Sequence, residues 1–329
     1  MLSHRGKAED SFAGRTACSE YRTWAGVGCW IPIKERMRAR HSLQRFIRIP
    51  SVSALIVLLL APAGHAEEDT ELAKQSQNPV ASIISIPFEN NLYFDVGPSE
   101  EMANVLSIKP VVPIGLTDKI NLINRFIVPL IYLEGQDSIS ASDPEGGLGS
   151  ENIFPGTDDE FGLGNITYQT FFSPAEPGPV IWGIGTALIL PTNSDSSFGG
   201  DTWSAGPTAL LLSMNGPWVV GFLGQHVWSF AEHGSEPSVN STLLQPILNY
   251  NIGKGWYLTS VPVITANWEN DDEWTVPLGG GLGRLVRIGK IPVDFKVAAY
   301  HNVEKPRYGP EWDLQFTVKI LLPKSLFGN

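Results

Sequence analysis

The sequence predicts an all-β protein: a transmembrane, antiparallel, up-and-down β-barrel of about twelve strands. Three features predict it. Strand-length runs alternate with period two, short links alternate with longer acidic ones, and tryptophans gather at the ends of the runs. Composition agrees. Of 329 residues, 17% are charged and 10% aromatic, with 33 Gly and 25 Pro, a balance that excludes coiled coils and helical bundles rich in Ala, Glu and Lys. The net charge of −11 lacks the basic footprint of a nucleic-acid binder. No apolar run reaches the roughly 20 residues of a membrane-spanning helix, which excludes membrane helices but not membrane strands.

An export signal comes first. Arg38, Arg40, Arg45 and Arg48 lead into the apolar stretch from Val52 to Ala63, followed by Gly64-His65-Ala66. A basic region, a short apolar region and small residues at the end are the parts of a secretory signal. They predict a signal peptide over 37–66, cleaved after Ala66, with residues 1–36 an over-extended start ahead of Met37. Residues 1–66 hold ten of the 23 basic and four of the 34 acidic side chains, leaving 13 and 30 and a net charge of −17. Both cysteines, Cys18 and Cys29, fall in the removed part, so the exported chain has no disulfide and no thiolate chemistry. Residues 67–79 are polar without a helical period and read as a periplasmic tail; 80–329 reads as the barrel.

Strand-like runs lie near 80–96, 104–116, 120–133, 161–173, 179–191, 202–214, 217–230, 241–252, 255–268, 273–287, 291–303 and 310–322. In the last, Trp312, Leu314, Phe316, Val318 and Ile320 alternate with Asp313, Gln315, Thr317 and Lys319, so the two sets lie on opposite faces. Val293, Phe295, Val297 and Ala299 likewise oppose Asp294, Lys296 and Tyr300, and Leu244, Pro246, Leu248 and Tyr250 oppose Gln245 and Asn249. In 120–133 both faces are apolar apart from Asn121, Asn124 and Arg125. Pro110, Pro129, Pro246, Pro262 and Pro277 fall within runs, where each removes a ladder donor.

The links separate a membrane barrel from a soluble one. Those after even-numbered strands are short, around Thr117-Asp118, Pro174 to Pro179, Asn215-Gly216, Gly253 to Gly255 and Gly289-Lys290. Those after odd-numbered strands are mostly longer and acidic: Gly135 to Glu160, Asn193 to Asp201, Glu232 to Asn240, Glu269 to Asp272 and Glu304 to Gly309. That asymmetry is the outer-membrane arrangement. Trp182, Trp218 and Trp256 lie beside short turns, and Trp203, Trp228, Trp268, Trp274 and Trp312 beside long loops. Two such belts suit the two lipid interfaces, because indole is apolar with one polar N–H. With the apolar stripes turned to lipid, Lys109, Arg125, Gln245, Asn249, Asp294, Lys296, Gln315 and Lys319 point into the lumen, where they either line a pore or interlock to fill it.

The runs LIYLEG, FGLGNITYQTFFSPAEPGPVIWGIGTALILPT, WSAGPTALLL, GPWVVGFLGQHVWSFA, LLQPILNYNIGKGWYLTSVPVITANW and WTVPLGGGLGRL resemble a family of bacterial outer-membrane barrels. Its members are labelled transporters and sometimes neuromedin U, and it is related to the group associated with the meta-pathway of phenol degradation. The likeness covers roughly residues 72–323. It implies an exported barrel in the bacterial outer membrane with a transport role, and carries over no catalytic or ligand residues.

Enzyme and metal chemistry find little support in the residues. His226 and Ser229 are three apart in a strand and so lie on opposite faces. His233 and His301 fall near the long loops, with Asp201, Glu232, Asp271 and Asp272 as conceivable carboxylate partners. Asp137, Asp143, Asp158, Asp159, Asp195, Asp201, Asp271 and Asp272 make acidic loops without a repeated ligand spacing. They predict a solvated rim, with loose divalent bridging to lipopolysaccharide as the alternative, and no resident metal or cofactor. Gly279-Gly280-Gly281-Leu282-Gly283 lies in a strand with no helix after it, so it is not a phosphate loop; a bulge, a bend or room for a lumen neighbour fits instead. The tail of 67–79 is too short for the plug of an energised receptor. The expected function is therefore passive passage of small solutes, with outer-membrane lipid and lipopolysaccharide as surroundings; that these are hydrophobic or aromatic is implied by the resemblance alone. The alternatives are a lipid-modifying or hydrolytic barrel enzyme and a structural or adhesive barrel with a filled lumen. No oligomeric state follows from the sequence.

Overall fold

The computed structural model describes residues 66–135, 158–176, 178–231, 238–269 and 273–322. The start ahead of Met37 and the signal peptide, apart from Ala66, lie outside the described residues. Twelve antiparallel strands close into a barrel. They are β1 (Ile84–Val96), β2 (Glu101–Ile108 with Val111–Gly115), β3 (Ile120–Leu133), β4 (Glu160–Leu163 with Ile166–Pro174), β5 (Val180–Leu190), β6 (Trp203–Asn215), β7 (Trp218–Ala231), β8 (Asn240–Gly253), β9 (Trp256–Ser260 with Ile264–Asn267), β10 (Glu273–Ile288), β11 (Ile291–Glu304) and β12 (Trp312–Leu322). Each pairs with its neighbours in chain order. The ring closes where β1 meets β12, from Ile84 opposite Leu322 to Phe94 opposite Trp312. Closure leaves no open sheet edge, the condition for strands to cross hydrocarbon.

The two rims differ as expected. At one, tight turns join β6 to β7, β8 to β9 and β10 to β11. Gly216 and Gly289 take positive φ there, +55° and +64°, the left-handed geometry that two-residue hairpin turns need. The other rim carries the longer links, except the one between β1 and β2, which is short.

The five prolines singled out in the sequence coincide with breaks in the ladders. Pro110 lies between the two segments of β2 and Pro262 between those of β9. Pro277 lies at a register shift between β10 and β11. Pro129 falls between the stretches of β3 that pair with the two segments of β4. Pro246 falls between the stretches of β8 that pair with the two segments of β9. A residue without an N–H costs least where the partner strand has already let go.

The polar stretch 67–79 shows no helical period in its sequence, yet Ala66–Ser76 forms a helix, α1, at the short-turn end of the barrel. A helix this short is marginal in water, and its polar sequence has no strong period. Its order comes from contacts and end charges. Glu67, Glu68 and Asp69 occupy the first turn and Lys74 the last, complementing the helix dipole. Leu72 and Ala73 pack on Tyr257, Leu285, Leu321 and Ile83.

Candidate functional site: the barrel lumen

Alternation along each strand decides what enters the lumen. All eight residues expected to point inward, Lys109, Arg125, Gln245, Asn249, Asp294, Lys296, Gln315 and Lys319, line one internal cavity of about 480 Å³. It runs from Gln75–Asn78, at the C-terminal end of α1, to Thr265, Thr275, Asn302 and Pro310 near the long-loop rim. Glu89, Tyr93, Tyr257, Tyr300 and Asp313 also line it and were not singled out from sequence. For Asp313 and Tyr300 the signal was present, since each alternates in phase with inward neighbours.

The lumen has two unlike walls. The charged lining residues, Glu89, Lys109, Arg125, Asp294, Lys296, Asp313 and Lys319, all belong to five consecutive strands, β11, β12, β1, β2 and β3. Glu89 pairs with Lys109 and lies 3.9 Å from the Lys296 ammonium. Asp294 accepts hydrogen bonds from Tyr257 Oη at 2.8 Å and Ser76 Oγ at 2.9 Å. Gln315 donates to Asn91 Oδ1 at 3.0 Å. On the opposite side Leu223, Leu243 and Ile247 line the cavity among the amides Gln169, Gln245 and Asn249, and most of the apolar side chains pack behind them. Phe171, Ile181, Leu210, Leu212, Val219, Leu223 and Ile247 form a buried inner cluster that reaches Val80, Val111 and Ile123. Within it, Gln169 Nε2 donates to Gln225 Oε1 at 2.6 Å, linking β4 to β7 across the intervening strands. The two-sided apolar pattern read over 120–133 thus extends further: from β3 to β7 apolar side chains occur on both faces.

The helix α1 is clamped into the short-turn end. Arg287 binds Asp69 Oδ1 at 2.9 Å and Glu68 Oε1 at 2.8 Å. Lys319 Nζ donates to the Ser76 carbonyl at 2.7 Å, and Gln77 Nε2 to Asn251 Oδ1 at 3.0 Å. Gly283 makes room on this side, because a Cβ there would fall on the Tyr257 ring. That accounts for one glycine of the Gly279–Gly283 run as space for a lumen neighbour.

The outer face carries an exposed apolar belt, with Phe126, Phe172, Ile184, Leu211, Phe222, Leu248, Leu258 and Leu278 contributed by eight successive strands. A belt this extensive has no counterpart on an ordinary water-soluble surface. The eight singled-out tryptophans are absent from the cavity wall. Trp182, Trp218, Trp228, Trp268 and Trp312 are exposed, and Trp203, Trp256 and Trp274 half-buried. Trp182, Trp218 and Trp256 lie toward the short turns, the other five toward the long loops.

His226 also lies outside, its Nδ1 2.7 Å from Thr242 Oγ1, which accepts a hydrogen bond from Trp268 Nε1 at 2.7 Å. Ser229 alternates to the other face and instead accepts from the Val239 N–H. His301 stacks on Trp312 at 4.7 Å, with Nδ1 3.2 Å from the Glu311 carbonyl. Neither forms an ion pair with a carboxylate among the described residues. His233, Asp137, Asp143, Glu232, Asp271 and Asp272 lie outside the described residues. Asp159 accepts from Tyr132 Oη and the Gly135 N–H. Asp195 accepts from the Ser197 N–H and hydroxyl, which hold its carboxyl below the usual range. Among the described residues no three His, Cys, Asp or Glu side chains gather as a metal site.

A closed twelve-stranded barrel with an exposed apolar belt around a part-occluded lumen defines a protein of the up-and-down β-barrel class. The solved structures agree on the fold. The chain is similar to an outer-membrane channel from Pseudomonas putida F1, with 17% identity and a TM-score of 0.54, over 74% of this chain and 97% of that one. Weaker likenesses are to outer-membrane phospholipase A from Escherichia coli (12% identity, TM-score 0.39, 78% and 98% covered) and the CymD monoaromatic hydrocarbon channel (11%, 0.39, 79% and 94%). No protein-family model matches the chain, and no curated protein matches it.

Proposed function

We propose that this barrel resides in a bacterial outer membrane, among lipid and lipopolysaccharide, and passes small solutes with a substantial apolar part by diffusion. The two-walled lumen carries this reading. A conduit for sugars or ions needs a polar lining all round. Here one side of the cavity is Leu223, Leu243 and Ile247 among three amides, backed by a packed cluster of Leu, Ile, Val and Phe, and the cavity of about 480 Å³ has the size and mixed lining of a small-molecule site. The tryptophan belts fit the lipid interfaces, and the inward charges narrow the polar half of the passage. The helix α1 bounds the route at the short-turn end, so passage runs beside it or follows its displacement.

Planar-bilayer recordings and uptake into proteoliposomes test the reading, on the exported chain and on a form lacking residues 67–79. We expect aromatic solutes to enter faster than sugars of similar size, and faster still without α1. No flux of any solute through either form overturns the proposal in favour of a filled, structural barrel.

A further inference from the structure

The lumen charges are not all balanced. Lys109 and Lys296 share Glu89, and Lys319 is held by the Ser76 carbonyl. Arg125 differs. It lines the cavity, forms no ion pair among the described residues, and its Nη1 is buried without a hydrogen-bond partner in the protein. Its guanidinium lies over the Phe171 ring, 5.9 Å from the centroid, and Phe171 belongs to the apolar inner cluster. A permanently charged, fork-shaped donor thus stands at the seam between the charged and apolar walls.

We infer that Arg125 is an anion subsite and that the cargo is an amphiphilic carboxylate, its acid group on the guanidinium and its apolar body against Leu223, Leu243 and Ile247, which line the cavity. The inference rests on the channel reading and names its substrate class. Guanidinium is the side chain best matched to a carboxylate, through two parallel N–H···O bonds. Burying it unpaired is costly, so an entering acid gains what a neutral analogue of the same shape does not. The other unbalanced charge, Asp313, whose Oδ1 is also buried without a partner, is next to the start of β12 at the long-loop end. It would favour an amine there instead.

The test compares benzoate, benzyl alcohol and benzylamine by calorimetry on the exported barrel in lipid nanodiscs, with empty discs as the partitioning control. We expect benzoate to bind about tenfold tighter than benzyl alcohol. Arg125→Gln should erase the difference and Arg125→Lys should keep part of it, with folding of each variant checked by heat-modifiable gel mobility. Equal binding of acid and alcohol by the unmodified barrel, tighter binding of benzylamine, or a preference unchanged in Arg125→Gln overturns the inference. The unmodified barrel alone can overturn it, so misfolding of a variant does not shield it. Binding needs no permeation. A benzoate preference without flux therefore removes the channel reading and leaves this site, and aromatic flux without the preference does the reverse.

Discussion

The charged and apolar arcs of the lumen face each other across one barrel, yet they hold together by different physics. On β11, β12, β1, β2 and β3 most inward groups are placed by a partner, Glu89 by two lysines, Asp294 by Tyr257 and Ser76, Gln315 by Asn91, with Arg125 and Asp313 the exceptions. On β4 to β8 the inward groups are placed by shape, with Phe171 and Val219 fully buried and Leu210, Leu212 and Leu223 nearly so. The charged arc resembles the lining of an aqueous pore; the apolar arc resembles the core of a soluble protein. The contrast shows that apolar packing inside a closed barrel need not mean a lumen filled to closure, because the cavity lies between the two arcs.

The sharpest way to break the comparison is to put a charge on the apolar arc. Leu223 is 2% exposed, and Leu223→Lys would leave an ammonium without a partner among Phe171, Ile247 and their neighbours. A buried unpaired charge costs on the order of several kcal/mol. We expect no folded barrel by heat-modifiable gel mobility; refolding at the unaltered yield would show that this arc is not a packed wall.

A smaller loss is expected on the charged arc. Glu89→Gln removes the acid shared by Lys109 and Lys296 and should lower unfolding stability by roughly 3 kcal/mol, read as the urea midpoint in lipid vesicles. Adding Lys109→Met should recover part of the loss, because the uncompensated ammonium goes with it. A double variant less stable than Glu89→Gln alone would mean that these charges are held by water and not by one another.

The clamp on α1 is weaker again. Arg287→Ala removes the contacts to Glu68 and Asp69, and Glu68 is largely exposed, so its part is modest. We expect higher single-channel conductance with the barrel intact. Asp69→Ala should raise conductance likewise, because it frees the same Arg287. Conductance indifferent to both changes would take α1 off the route.

The charged arc was legible in the sequence and the apolar arc was not, for a physical reason. Period two reveals a face only when the other face differs in polarity, as in β8, β11 and β12. From β3 to β7 lipid on one side and the packed wall on the other both select Leu, Ile, Val and Phe, so the alternation vanishes although the geometry persists. Glu89 was hidden by its neighbours, since Glu89, Asn90 and Asn91 are polar on both faces of β1. The helix α1 was hidden because Tyr257, Leu285 and Leu321, far along the chain, supply what its own sequence lacks. The prolines were visible but unexplained, because a ladder break belongs to the pair of strands and not to either one.

The smallest expected effect probes where the two arcs meet α1. Tyr257 Oη and Ser76 Oγ bond the two oxygens of Asp294 separately, one from the barrel wall and one from the helix end. Tyr257→Phe and Ser76→Ala should each cost about 1 kcal/mol, because Asp294 keeps its other partner. Removing both should cost more than the sum, since a buried carboxylate then loses its last side-chain donor. An additive pair would mean that Asp294 is solvated from the cavity. The wall would then hold α1 through Arg287 and the Lys319 bond to the Ser76 carbonyl, and the helix end would be free to respond to whatever occupies the lumen beside it.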